Sequence, residues 1–276
     1  MKKTLLVSFL LSGWLLLPSC EKNEQPKVSG NDVEESVNLA TADDIYDEVE
    51  EIADQAWEAA SSGLKDGGSD RPRLAPCAVI SIDTLAVPRV MTIDFGEVNC
   101  LCNDGKYRRG QIIVTFTGRY RRPGAVITHT FRQYYVNDNH VQGTKVMTNL
   151  GLNEQGLMVF QHEVQGSITF AADGRVVSWV SEKTRTWIEG RETPGWRDDV
   201  FLIEGNSTAS SSGGGSMTRV ITNPLRRELN CRWFVSGTII TTPGERPERT
   251  LDFGDGSCDN LATLTIGDQT TTIILR

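Results

Sequence analysis

The feature that most constrains this chain is a long succession of short alternating segments, starting near residue 75 and never interrupted by a helical period. In 111–117, Ile112, Val114 and Phe116 share one face and polar residues the other. Residues 125–136, 157–164, 175–188 and 231–241 are rich in β-branched and aromatic side chains. Asn137-Asp138-Asn139 and Asp173-Gly174 are typical of the turns between them. Period-two patterning with such punctuation specifies antiparallel strands, roughly 11 to 14 of them. The expected body, 75–276, is all-β: an antiparallel β-sandwich or a curled sheet of many short strands.

One amphipathic helix is expected before that body. Ile45, Val49, Ile52, Ala53, Ala56 and Trp57 recur at helical spacing, which predicts a helix over 41–61. Thr41 is placed to cap it, and Asp43 and Asp44 fall in its first turn. Asp47, Glu50, Glu51, Asp54 and Glu58 mostly keep to the opposite face. Residues 20–40 show no sustained period and read as a flexible tether. The stripe is too apolar to stay in water, so the helix is expected to dock on the β body; the rival is that the stripe binds another envelope protein and the helix is loose in the free state.

The first 19 residues have the organisation of an export signal. Lys2 and Lys3 precede an apolar stretch, 4–17, too short for a spanning helix. Leu17-Pro18-Ser19-Cys20 follows and looks like a lipobox, in which cleavage frees Cys20 to carry diacylglycerol and palmitate. This predicts a lipoprotein held on a membrane through Cys20, in the cell envelope of a Gram-negative bacterium.

Charge is unevenly distributed. Residues 21–70 carry 15 acidic and 3 basic side chains, whereas 71–276 carry 21 and 23. A nearly neutral body lacks the basic excess that nucleic-acid binding requires, so no nucleic-acid partner is expected.

A weak internal repeat runs through the body. Ile93-Asp-Phe-Gly-Glu-Val-Asn-Cys100 and Leu251-Asp-Phe-Gly-Asp-Gly-Ser-Cys258 sit in equivalent contexts, within 77–118 and 231–276. The repeat pairs Cys77 with Cys100 and Cys231 with Cys258, leaving Cys102 over, with Cys100 and Cys102 able to exchange roles. Each bond would contribute roughly 3 kcal/mol, and export permits them. Five reduced, buried cysteines are the alternative. Asp252-Phe-Gly-Asp-Gly-Ser257 resembles the signature of PKD domains, extracellular β-sandwich modules, over six residues. It is read as a turn, with a calcium loop from Asp252, Asp255 and Asp259 as the less favoured reading.

Arg108, Arg109, Arg119, Arg121, Arg122 and Arg132 crowd into 25 residues. Two readings stand: a solvated face that blunts aggregation, or an anionic docking surface for a partner or for the acidic helix. His129, His140 and His162 are scattered, and no metal spacing or catalytic motif is present. Glu182 with Glu189, or Asp198 with Asp199, would be carboxylate pairs of little specificity. Tyr134, Tyr135, Trp179, Trp187, Trp196 and Trp233 are expected mostly in the core, with a sugar-stacking surface as the alternative.

The lipobox, the acidic helix, the two Asp-Phe-Gly motifs and Arg108-Arg-Gly-Gln-Ile-Ile-Val-Thr-Phe-Thr-Gly118 together resemble a lipoprotein family of the Bacteroidetes type. The resemblance implies an outer-membrane address, and no activity, substrate, cofactor or catalytic residue. The expectation is a non-enzymatic binding or scaffold module, whose partner is another envelope protein or a glycan. A carrier of an apolar ligand or lipid is the alternative, and a polysaccharide-directed enzyme a distant one. A carrier needs an open, apolar concave face; a scaffold fills that face with its own side chains.

Overall fold

The computed structural model describes residues 28–61, 74, 77–193, 196–213 and 215–275. It contains one helix, α1 (Gly30–Ser61), followed by fourteen strands. These are β1 (Val79–Asp83), β2 (Arg89–Asp94), β3 (Cys100–Leu101), β4 (Tyr107–Phe116), β5 (Val126–Val136), β6 (Asn139–Leu152) and β7 (Met158–Thr169). β8 (Val176–Glu189), β9 (Val200–Ser211), β10 (Ser216–Glu228), β11 (Phe234–Thr242), β12 (Arg249–Asp255), β13 (Leu261–Ile266) and β14 (Gln269–Ile274) complete the series.

All fourteen belong to one antiparallel sheet in sequence order, with β3 attached only to β4. Apart from β2, which pairs with β4 past β3, each strand hydrogen-bonds to the next along the chain, so the topology is a meander and its ends do not close. Of the two expected architectures this is the curled sheet. Bulges supply the bending. One lies in β5 between Thr130 and Tyr134, where Gln133 has φ 47°. Another lies in β10 between Val220 and Leu225, which also frees Pro224 from the ladder.

The sheet curls around α1. From Ser36 to Ala56 nearly every helix residue is buried, whatever direction it faces. Ala42, Ile45, Tyr46, Val49, Ile52, Ala53 and Ala56 join the main core with Met91, Ile93, Ile112, Val114, Tyr134, Val164 and Trp179. Val37 and Ala40 join a second core with Ile203, Leu225, Ile239, Leu251, Phe253 and Leu264. Close approach of helix to sheet needs glycine. A Cβ on Gly166 would lie 2.3 Å from the Tyr46 hydroxyl, which donates to the Gln142 carbonyl at 2.9 Å.

Three expectations about the helix are corrected. It begins at Gly30, so residues 30–40 of the expected tether are helical. Their apolar stripe, Val33, Val37 and Ala40, faces a different wall of the sheet from the stripe that follows, so no single period spans both. The cap is Ser29, not Thr41: the Asp32 amide donates to Ser29 Oγ at 3.3 Å, and the Asp32 carboxylate accepts from the Ser29 amide at 3.0 Å. Thr41 lies inside the helix and donates its hydroxyl to the Val37 carbonyl. Trp57 is 37% exposed, its ring edge-on to Phe116.

The internal repeat has a structural counterpart. Asp94 accepts from the Gly96 amide and Asp252 from the Gly254 amide, each at 2.8 Å. Both glycines have positive φ, and the intervening Phe95 and Phe253 are buried. Cys77–Cys100 and Cys231–Cys258 are disulfides, each joining the segment before a hairpin to the segment after it.

Candidate functional site

The densest concentration of chemistry is the interface between α1 and the concave face of the sheet. The helix carries eleven carboxylates and no basic residue. The strands present cations to it at inward-facing positions. On β8, Val177, Trp179, Ser181, Lys183, Arg185 and Trp187 alternate inward, so Lys183 and Arg185 share a face with two buried tryptophans. Lys145 on β6, Arg219 on β10 and Arg249 on β12 are placed by the same alternation.

Four groupings follow the helix from its start. Near the rim, Asp32 and Glu35 pair with Arg249, and Glu35 also with Arg246 at 2.9 Å. Further in, Asp43 bonds Lys183 at 2.6 Å and also Arg219. Lys106 contacts Asp44 and Glu48, each at 2.6 Å, and Arg108 lies between Glu48 at 2.8 Å and Asp104 at 2.7 Å. Last along the helix is Glu50, with His162 at 3.1 Å, Lys145 at 3.3 Å and Arg185 at 3.5 Å. The Tyr120 hydroxyl donates to Glu50 at 3.0 Å.

Burial opposes charge throughout, yet the partners prevail. Burial works against the Asp43 carboxylate, but Arg219 and Lys183 outweigh it and hold its pKa below the ordinary value. Glu50 is held down similarly, by His162, Lys145 and Arg185 against its burial. The histidines go the other way. Burial, with Lys145 beside it, lowers His129 to about 4. Burial lowers His162 to about 3, although Glu50 favours its charged form. Both are neutral at physiological pH, so the lysines and arginines carry the charge that balances the helix.

The Arg108–Arg132 set is not one surface. Arg108 is fully buried against Glu48, so as part of an exposed docking surface it is corrected; it docks the helix from within. Arg109 pairs with Asp138 and lies over the Tyr135 ring. Arg121 lies over Trp187 and donates to the Arg191 carbonyl. Arg132 reaches Gln111. Arg119 and Arg122 are exposed. Lys106, Lys145, Lys183, Arg185, Arg219, Arg227 and Arg249 were not singled out from the sequence. Strand parity carried the signal for those on strands, each on the face of its apolar neighbours; Lys106 lies just before β4.

The remaining candidates have local roles. Asp252, Asp255 and Asp259 spend their carboxylates on Gly254, Ser257 and Leu261 within the turn. Among the described residues no His, Cys, Asp and Glu group has the arrangement of a metal site. Cys102 is a free, buried thiol, pushed up by burial. His140 stacks on Tyr135. Tyr134, Trp179 and Trp187 are buried, as expected of core aromatics. Glu182 is exposed and Glu189 pairs with Arg226, so they do not converge. Asp199 is raised to about 7 by burial and by Asp198 beside it, while Asp198 accepts from the Thr193 hydroxyl. Cys20 and its signal peptide lie outside the described residues.

Two hollows among the described residues border the helix. One of about 10 Å³ lies between the helix and β8–β10, lined by Glu35, Leu39, Arg175 and Met217. The other, about 400 Å³ and open, lies where Val28, Ser29 and Val33 meet Gln269, Thr270 and Thr271. Neither reaches Glu50. The ionic interior is a docking interface between the helix and the sheet. No family model, curated protein or solved structure matches this chain.

Proposed function

We propose that this protein is a membrane-anchored, non-enzymatic envelope module, lipidated at Cys20 and addressed to the outer membrane, which presents a rigid β surface to another envelope protein or a glycan. The observation that carries the reading is the filling of the sheet's concave face by α1. A carrier of apolar ligands keeps that face open and apolar. Here it holds a helix bound through ion pairs and aliphatic side chains. The two disulfides favour an oxidising compartment.

Native mass spectrometry of the protein extracted from membranes tests this reading. Wild-type protein should carry acyl chains on Cys20 and no other stoichiometric lipid, and Cys20→Ala should carry none. A lipid retained in stoichiometric amount by Cys20→Ala would replace the scaffold reading with the carrier. A Cys20→Ala protein that still takes up labelled palmitate would remove the anchor.

A further inference from the structure

Every long strand of the sheet has two neighbours except β1 and β14, and the geometry points to β14 as the interface of a symmetric dimer with a second copy of this chain. The Leu275 amide bonds the Asn260 carbonyl at 2.8 Å, and the register pairs Ile273 with Ala262, Thr271 with Leu264 and Gln269 with Ile266. In an antiparallel ladder hydrogen-bonded pairs alternate with non-bonded ones. Gln269, Thr271 and Ile273 therefore spend their backbone groups on β13. Thr270, Thr272 and Ile274 direct theirs outward, where none of the described strands lies.

Such an edge is normally blunted by a charge, a proline or a short length. β14 reads Gln-Thr-Thr-Thr-Ile-Ile, without charge or proline, and Ile274 is 64% exposed. β1 is different: it has five residues and ends in Asp83, whose carboxylate binds the Leu85 and Ala86 amides of the adjoining turn.

The edge is complementary to itself. Two β14 strands placed antiparallel about Thr272 set Thr270 of each against Ile274 of the other, with Thr272 facing its own copy. Every outward amide and carbonyl of the three residues then has a partner. Side-chain pairs are Thr with Ile and Thr with Thr, which suit a pleated surface. A twofold arrangement closes on itself, whereas β14 against β1 of the next copy would grow without limit.

The test uses the full mature chain. Sedimentation should give twice the chain mass at micromolar concentration. Thr272→Cys should cross-link to itself under mild oxidation, whereas Ile274→Cys should do so only when mixed with Thr270→Cys. Thr272→Pro should halve the mass and keep the thermal transition, because the lost amide faces outward. Thr272→Lys should do the same should the proline variant fail to fold. A wild-type monomer up to high-micromolar concentration overturns the proposal and leaves the edge covered by the chain itself. A dimer that survives both substitutions, or an open-ended ladder of oligomers, overturns it as well.

Discussion

The middle of α1 and its first turns use the same pairing of carboxylate with guanidinium, in opposite surroundings. Asp43 and Arg219 are each 2% exposed, whereas Glu35 faces Arg246, which is 48% exposed. A partly hydrated pair gains little, because water competes for both ions and the side chains lose freedom. A buried pair is no bargain relative to an apolar substitute, but losing one partner leaves a charge stranded in low dielectric. The interior pairs therefore act mainly to define position: the helix has one depth and one rotation at which Asp43, Asp44, Glu48, Glu50 and Glu51 all meet their cations.

The sharpest way to break the symmetry of that comparison is at Asp43. Asp43→Asn keeps the shape and removes the charge. Lys183 would retain only Asp47, at 3.7 Å, and Arg219 would keep only the Trp179 ring. A loss of about 4 kcal/mol is expected by urea denaturation, within the range for a broken buried pair. Pairing it with Arg219→Met should recover much of that loss. A single substitution costing less than about 1 kcal/mol would show that water reaches the site and that the burial argument is wrong.

The second test uses pH, because the histidines occur only in the interior half of the comparison. His129 has a pKa of about 4 in the fold against about 6.5 in an unfolded chain. As pH falls below 6.5 the unfolded state takes up the proton first. Stability is complete above that value and is lost as pH falls toward 4, by roughly 3 kcal/mol for His129 alone. His129→Leu should flatten the pH dependence of the urea midpoint over that window. Glu50, held low by its neighbours, contributes stability above the ordinary carboxylate range and loses it as pH falls through and below that range. An unchanged slope in His129→Leu would place the acid sensitivity elsewhere.

The comparison also shows what the sequence makes legible. The β body, the hairpin disulfides and the core of the helix follow from patterns that are local and apolar. The cationic lining does not, because Ser181-Glu182-Lys183-Thr184-Arg185-Thr186 is polar on both faces and alternation alone cannot tell which face turns inward. Parity with Trp179 and Trp187 settles it, but only once the strand is known to extend through the whole segment. Residues 30–40 failed for a related reason. A helix enclosed on several sides needs no single stripe, so amphipathicity underestimates its length.

The smallest effect belongs to the rim, and it sharpens the comparison by its dependence on salt. Glu35 is held below its ordinary pKa: burial opposes this, but hydrogen bonds from Arg246 and Arg249 exceed it. Arg249 is itself buried and also bonds Asp32 at 2.6 Å, so it stays paired when Arg246 is removed. Arg246→Ala should therefore cost only about 0.5 kcal/mol, the scale of an exposed pair. Raising the salt to about 1 M shortens the Debye length to ~3 Å and should erase most of that difference. The Asp43→Asn deficit, shielded from solvent ions, should persist under the same conditions. Urea titrations of both variants at low and high salt make the measurement. An Arg246→Ala deficit unmoved by salt would mean that Arg246 acts by packing its aliphatic stem on the rim, and that the division between rim and interior is one of shape and not of charge.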